Sequence, residues 1–259
     1  MSRIIIPRRE FLGLGAFGLG AAALAFSGRP ADAATFEELI GSAQNLTYRA
    51  QRLLGGRRAM AREFSESDLS PDFKINGSRR PDTPEYEALL AENFANWKLV
   101  VDGLVVNPQQ LSLADLRGLA QRTQITRHDC VEGWSAIGKW QGPQLAEVLK
   151  RAIPLPSARF VIFYCADFME RAADGTGQYY ESIDLIDAFH PQTILAQSLN
   201  DAPLSVGHGA PVRLRIERQL GYKHAKYVMR IELVDRLEGI GRGKGGYWPD
   251  RGYEWYAGI

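Results

Sequence analysis

The stretch Arg127–Gly142, RHDCVEGWSAIGKWQG, holds one of the chain's two cysteines. Around Cys130 stand His128, Asp129, Glu132, two tryptophans and three glycines. Such a mixture suits a loop that carries chemistry. The reactive form of cysteine is the thiolate, and a thiolate needs a polar setting. Two readings are open: a metal or redox cysteine, or an ordinary small buried residue, as most free cysteines are. His128 lies two positions before Cys130. In an extended segment both face one side, which allows a Cys-His nucleophile pair.

Three further polar groups follow from residue type. They are Gly207–Arg213 (GHGAPVR), Gly221–Lys226 (GYKHAK) and a loop containing Asn76. Glycine lets backbone approach a ligand closely, and Arg and Lys supply the charge-assisted donors that phosphate groups take. Arg213 and Lys226 flank a turn and can converge on one anion; as solvated strand residues they would do nothing of the kind. Other chemistries find less support. Two separated cysteines and four histidines lack the spacing of a structural zinc site. There is no Gly-x-Ser-x-Gly elbow, and Gly241–Gly246 neither follows a strand nor opens a helix as a nucleotide loop must. His190, before Pro191, reads as a helix-end residue.

The elements that must position these groups are short and mixed. Thr35-Phe36-Glu37-Glu38 reads as a capping box opening a helix to Leu54, and Arg57–Ser70 as a peripheral charged stretch. Pro71 to Pro84 reads as loop. Lys98–Val101 and Leu104–Val106 read as strands across an Asp102-Gly103 hairpin turn. Ser112 caps a helix to Leu119, and Gln124–Arg127 is a strand that delivers the Cys130 loop. Leu145–Ala152 is an amphipathic helix closed by Pro154. Ala158–Tyr164 is a buried strand with Cys165 at its end. Ser182–Phe189 reads as helix and Thr193–Leu199 as a strand. Pro211–Glu217 reads as a strand with one solvated or ligand-facing side, and Tyr227–Val234 as another strand. Strands outnumber helices without strict alternation, so the expected class is α+β with mixed sheets and short helices.

The first 33 residues read as an address. Arg8-Arg9 with Phe11-Leu12, a Gly/Ala-rich apolar run and Ala31-Asp32-Ala33 make a twin-arginine leader with a cleavage site. That route carries proteins already folded, commonly around a cofactor, which predicts a periplasmic destination. In that oxidising compartment a Cys130–Cys165 disulfide competes with a liganded Cys130. The whole chain has 259 residues and a formal charge of +1; without the leader, 27 basic face 28 acidic side chains. Nothing there calls for nucleic acid or an anionic membrane surface. The expected division is a leader at 1–33, an N-terminal helical extension at 34–70 and an oxidoreductase domain at 71–259.

Three separated motifs now point one way. Cys130-Val131-Glu132-Gly133-Trp134-Ser135 with Trp140 and Gly142, then His208–Leu214, then Gly221–Lys226, resemble the sulfite-oxidase-type molybdopterin-dependent oxidoreductases. Within that family the chain looks like the periplasmic branch that includes the protein-methionine-sulfoxide reductase catalytic subunit. The resemblance implies that Cys130 is the single protein thiolate on molybdenum. It implies that His208 and Arg213 hold the pterin and its phosphate, that His224, Ala225 and Lys226 add donors, and that Asn76 closes the other side. Cys165 falls at a pterin-site position of that branch. Sulfite-oxidising members carry Arg and His beside the Asn; Ile75 and Gly77 stand here, which favours reduction of an S-oxide or N-oxide over oxidation of sulfite. The tail tyrosines Tyr247, Tyr253 and Tyr256 are candidates for an active-site hydroxyl. With no Cys-x-x-Cys-His haem motif in the chain, electrons are expected from a separate cytochrome or membrane haem subunit. The reading from another class is a cofactor-free binding or Cys-His protein on the same fold.

Overall fold

The computed structural model describes residues 46–53, 56–172 and 177–259. The chain divides into two compact units, 1–47 and 48–259. The leader and the Thr35 capping box lie outside the described residues. Within the second unit, residues 48–53 are helical. The stretch 57–70 is peripheral as expected, with no buried residue, and backbone contacts tie it to the unit. Ala61 N donates to Gln192 Oε1 at 2.7 Å, Phe64 N donates to Ile125 O at 2.9 Å, and Glu63 bridges Thr126.

Helix α1 (Pro84–Ala91) begins where the sequence suggested loop. Thr83 caps it by accepting from Tyr86 N, and Pro84 occupies its first turn, where a missing N–H costs nothing. Buried Tyr86 donates its hydroxyl to Ala210 O at 2.7 Å and so ties α1 to the Gly207–Arg213 motif.

β1 (Lys98–Gly103) runs straight through Asp102-Gly103, correcting the expected hairpin. Its antiparallel partner is β2 (Gln109–Ser112), with Val101 opposite Gln109. Asp102 is held by Arg230 at 2.9–3.0 Å, so a strand ion pair overrides the turn propensity of the dipeptide. Ser112 and Asp115 form the capping box of α2 (Leu113–Arg117). β5 (Phe160–Phe168), β6 (Gln178–Asp184) and β11 (Val228–Val234) complete a five-stranded sheet in the order β2-β1-β11-β5-β6, with β1 and β11 parallel. The helix expected from Ser182 starts only at Leu185. Asp184 ends β6 and caps α4 (Leu185–Ala188), following α3 (Leu145–Ala152) in the chain.

β3 (Gln121–Asp129) and β4 (Ser135–Pro143) form a long hairpin, from Gln121 opposite Pro143 to Asp129 opposite Ser135. β4 continues through β8 (Ser198–Leu199) to β9 (Ala202–Pro203). β7 (Thr193–Ala196) pairs instead with β10 (Arg213–Ile216), so the single strand expected over 193–199 is two strands in different sheets. β4 crosses β7 closely: a Cβ on Gly142 would sit 2.1 Å from Leu195 O, and only glycine fits.

All four residues of β10 are buried, which removes the solvated alternative for its charged side and leaves the ligand-facing one. Arg215 is neutralised by Glu217 at 2.6 Å, and the Arg213 and Arg215 guanidiniums lie 4.9 and 4.3 Å from the Trp140 ring. The architecture is α+β, with mixed sheets and short helices, as the sequence indicates. Among the described residues no helix is long and apolar enough to cross a membrane.

Candidate active site

The β3–β4 hairpin projects Cys130 at its tip. Cys130 N donates to Trp134 O at 2.9 Å and Gly133 N returns to Cys130 O at 3.1 Å, closing a tight turn. The thiol, half-buried, lines an open-mouthed cavity. Asn76, Ser78, Glu132, Asp167, His224 and Lys226 supply its polar lining, and Met169, Tyr179, Tyr222 and Trp248 its walls. Burial, together with the Glu132 carboxylate, pushes the Cys130 thiol above its ordinary value. The free thiol is therefore protonated at neutral pH, and a metal that binds it must displace the proton.

That geometry settles the competing readings of Cys130. His128 is buried at 1% exposure and its Nδ1 accepts from Arg215 Nη1 at 3.0 Å. Burial and the Arg215 charge hold it neutral, well below its usual value. Its ring packs on Trp134 and His224, so it stands as a support beneath the hairpin and not as the base of a Cys-His pair. Both cysteines are free, which removes the disulfide.

Four of the expected residues line the cavity: Asn76, Cys130, His224 and Lys226. Arg213 stands directly behind, with Nη2 donating to Asn76 Oδ1 at 3.4 Å and Nη1 donating to His208 O at 3.1 Å. His208 also stands back: its Nε2 donates to Phe73 O and its Nδ1 accepts from Ser205 Oγ, both at 2.8 Å. It pins the strip that leads to Asn76. Cys165 lies inside β5 with no exposure, among core residues and off the cavity lining. Ala225 is likewise buried and off the cavity lining. Its N–H donates to Lys223 O at 3.1 Å and its carbonyl accepts from Leu214 N at 2.8 Å, so its backbone is already used. The tail contributes Trp248, and the tyrosines at the cavity are Tyr179 and Tyr222 rather than Tyr247, Tyr253 or Tyr256.

The two basic motifs do converge, around Gly209. Its φ of +104° suits glycine, and a Cβ there would come within 2.9 Å of Lys226 Cβ and 3.1 Å of Arg213 Cβ. Lys226 Nζ donates to Gly207 O at 2.9 Å and to Ser78 O. Burial and the nearby Arg213 charge draw Lys226 down to about 7; burial and Arg215 draw Arg213 down to about 9. Asp167 is pushed up to about 6 by burial, with Oδ2 accepting from Ser78 Oγ at 2.5 Å. Sequence reasoning missed Asp167. It sits where the β5–β6 register slips between Tyr164 and Phe168, and a bulge leaves no mark in residue type. Glu132 carried a signal, standing two residues after the cysteine inside the motif.

An anionic, hydrogen-bonding cofactor suits this set. Arg213 Nε, His224 Nδ1 and Asp167 Oδ1 are buried without a partner, and such groups are costly unless a ligand satisfies them. Among the described residues no three His, Cys, Asp or Glu side chains converge to hold a metal. Cys130 thus offers one thiolate, and the other metal donors must arrive with the ligand.

Comparison with known proteins agrees. Residues 86–239 match the model of the oxidoreductase molybdopterin binding domain. The YedZ1 subunit of Azospira oryzae is 40% identical over 164 residues, covering 63% of this chain and 56% of that protein. The protein-methionine-sulfoxide reductase catalytic subunit MsrP of Xanthomonas axonopodis is 37% identical over 147 residues, covering 54% and 46%. The chain spans about half the length of these curated relatives. Among solved structures, the sulfane dehydrogenase SoxCD from Paracoccus pantotrophus superposes with a TM-score of 0.49 at 21% identity, over 55% of this chain and 39% of that one. The chain belongs to the oxidoreductase molybdopterin-binding domain family, and its cofactor is a molybdopterin carrying molybdenum.

Proposed function

We propose that this chain is an exported, periplasmic oxidoreductase that removes the oxygen atom from a neutral S-oxide or N-oxide. The observation that carries the reading is the Cys130 thiol, set at the lip of a cavity with Arg213 and Lys226 at its back and Met169 and Trp248 on its walls. Beside Asn76, Ile75 is apolar and Gly77 has no side chain, so neither neighbour offers a charge to an anion such as sulfite. The family resemblance to MsrP of Xanthomonas axonopodis supports the same class of substrate.

Each residue has a physical task. Cys130 binds the metal as thiolate. Asn76, His224 and Lys226 face the cavity to hold the pterin, with Arg213 supplying positive charge from behind Asn76. When bound, the molybdenum–molybdopterin group supplies two-electron oxygen-atom exchange. Reduction of an S-oxide to a thioether consumes two electrons and two protons and releases water. Asp167 Oδ1 can hold one such proton near neutral pH, since Oδ2 is taken by Ser78 and burial favours the neutral acid. The electrons come from a separate carrier of the cytochrome or membrane-haem type.

The test is a paired assay on the loaded enzyme. Reduced viologen with methionine sulfoxide is expected to turn over, and sulfite with ferricyanide is not. Turnover confined to sulfite would overturn the proposed direction.

A further inference from the structure

The turn that carries His224 into the cavity is held from behind by residues remote from it in sequence. His224 Nε2 lies 3.0 Å from Gln219 O. A carbonyl only accepts, so Nε2 bears the proton and Nδ1 is the bare nitrogen, buried and without a partner. Gln219 is itself fixed. Its Nε2 donates to Asp187 Oδ2 at 2.6 Å, its N–H donates to Ile216 O at 3.1 Å, and its Oε1 accepts from Ala257 N at 3.4 Å.

Asp187 is the hub. Its carboxylate is fully buried and also accepts from Arg218 Nη2 at 2.5 Å. Both Arg52 Nη atoms reach it at 2.8 Å, one to each oxygen. Arg52 belongs to the helical residues 48–53, outside the segment 86–239 that matches the family. Both Nη atoms are engaged: Nη2 also donates to Asp184 Oδ2 at 2.6 Å, and the guanidinium lies 4.4 Å from the Tyr256 ring. A planar fork on a carboxylate with a ring against it fixes orientation as well as charge.

We propose that Arg52 and Asp187 are positioning residues of the cofactor site: they hold Gln219, whose carbonyl locks His224 with its proton on Nε2, so that Nδ1 accepts a hydrogen bond from an N–H or O–H of the bound molybdopterin. The inference rests on reading the cavity as a molybdopterin site. Its first readout is therefore taken on the cofactor-free chain, where the ring-nitrogen pattern stands apart from that reading. Partners behind a ligating or contacting histidine set its tautomer, and losing them costs about 10–100-fold in affinity in comparable sites.

The experiment uses the full-length chain with and without cofactor. Ring-nitrogen NMR of the cofactor-free chain, assigned by loss of the signal in His224→Gln, is expected to show one tautomer with Nε2 protonated. Asp187→Asn and Arg52→Ala are expected to mix the tautomers. In the loaded enzyme they release molybdopterin about 10–100-fold faster, read by pterin fluorescence. Low millimolar guanidinium restores Arg52→Ala on both readouts by refilling the space of the lost side chain, an effect that a general loss of stability would not show. Should Asp187→Asn fail to fold, Arg52→Ala with and without guanidinium carries the test. Wild-type tautomer and release rate in folded Arg52→Ala would overturn the proposal. So would mixed tautomers with unchanged release, because Nδ1 would then not contact the cofactor. A wild-type chain with the single tautomer that takes up no molybdopterin overturns the cofactor reading and this inference with it.

Discussion

Cys130 and Cys165 are the same side chain in opposite settings. Cys130 sits on a hairpin tip, half-buried, at the lip of a polar cavity. Cys165 sits inside β5 with no exposure, among core residues. Burial pushes both thiols above their ordinary value, Cys165 the further. Acidity therefore does not separate the two. What separates the two is access to a cavity where His224 Nδ1 and Asp167 Oδ1 lack partners, and a metal can take the proton only where it can reach the sulfur.

Substitution at both positions tests that contrast most strongly. Cys130→Ser is expected to reduce turnover to background while unfolding stability stays within about 0.5 kcal/mol, as for a substitution that leaves the core intact. Cys165→Ser is expected to do the reverse. It places a hydroxyl in the core at a cost of about 1–3 kcal/mol in denaturant unfolding, with the cofactor content of the folded fraction unchanged. Equal cofactor loss in both variants would erase the distinction.

A smaller effect separates the cavity from the core two residues beyond Cys165. The folded Asp167 carboxyl stands near 6 against an ordinary 3.8, so the folded chain keeps a proton that the unfolded chain releases. Its contribution to stability falls as pH rises from about 4 to about 6. Asp167→Asn removes that component, so the stability of wild type relative to the variant should drop across this window in the cofactor-free chain. Parallel pH curves would show that the carboxyl is not raised. The smallest effect is on the Cys130 side. Glu132→Gln removes a charge that raises the thiol, and alkylation of Cys130 should shift modestly to lower pH, with no change expected if Glu132 points away.

The same contrast explains what the sequence disclosed. Leu145–Ala152 was readable to the residue because its apolar face repeats at helical spacing and meets the core. β4 was hidden because its inward residues, Ala136, Gly138, Trp140 and Gly142, are mostly small, and two of them are glycines that read as loop. β6 was hidden because Glu181 and Ser182 are buried with partners far along the chain, Lys223 and Gly245. At the site, the motifs located Cys130, Asn76, His224 and Lys226 on the cavity. They did not separate these from residues one layer back. His208 and Arg213 carry the chemistry of a binding residue but are spent partly on holding Phe73 and Asn76. The burial of Arg213 and Arg215 ran against the alternation of PVRLRIE, since buried cations are stable only with a carboxylate, an aromatic face or an incoming anion, none of which a local pattern displays.

The most direct measurement is the metal content of the purified, folded chain beside Cys130→Ser. About one molybdenum per wild-type chain, and almost none in a variant with wild-type unfolding stability, is the predicted result. Molybdenum retained at the wild-type level in Cys130→Ser would contradict the assignment of Cys130 as the protein's thiolate on the metal.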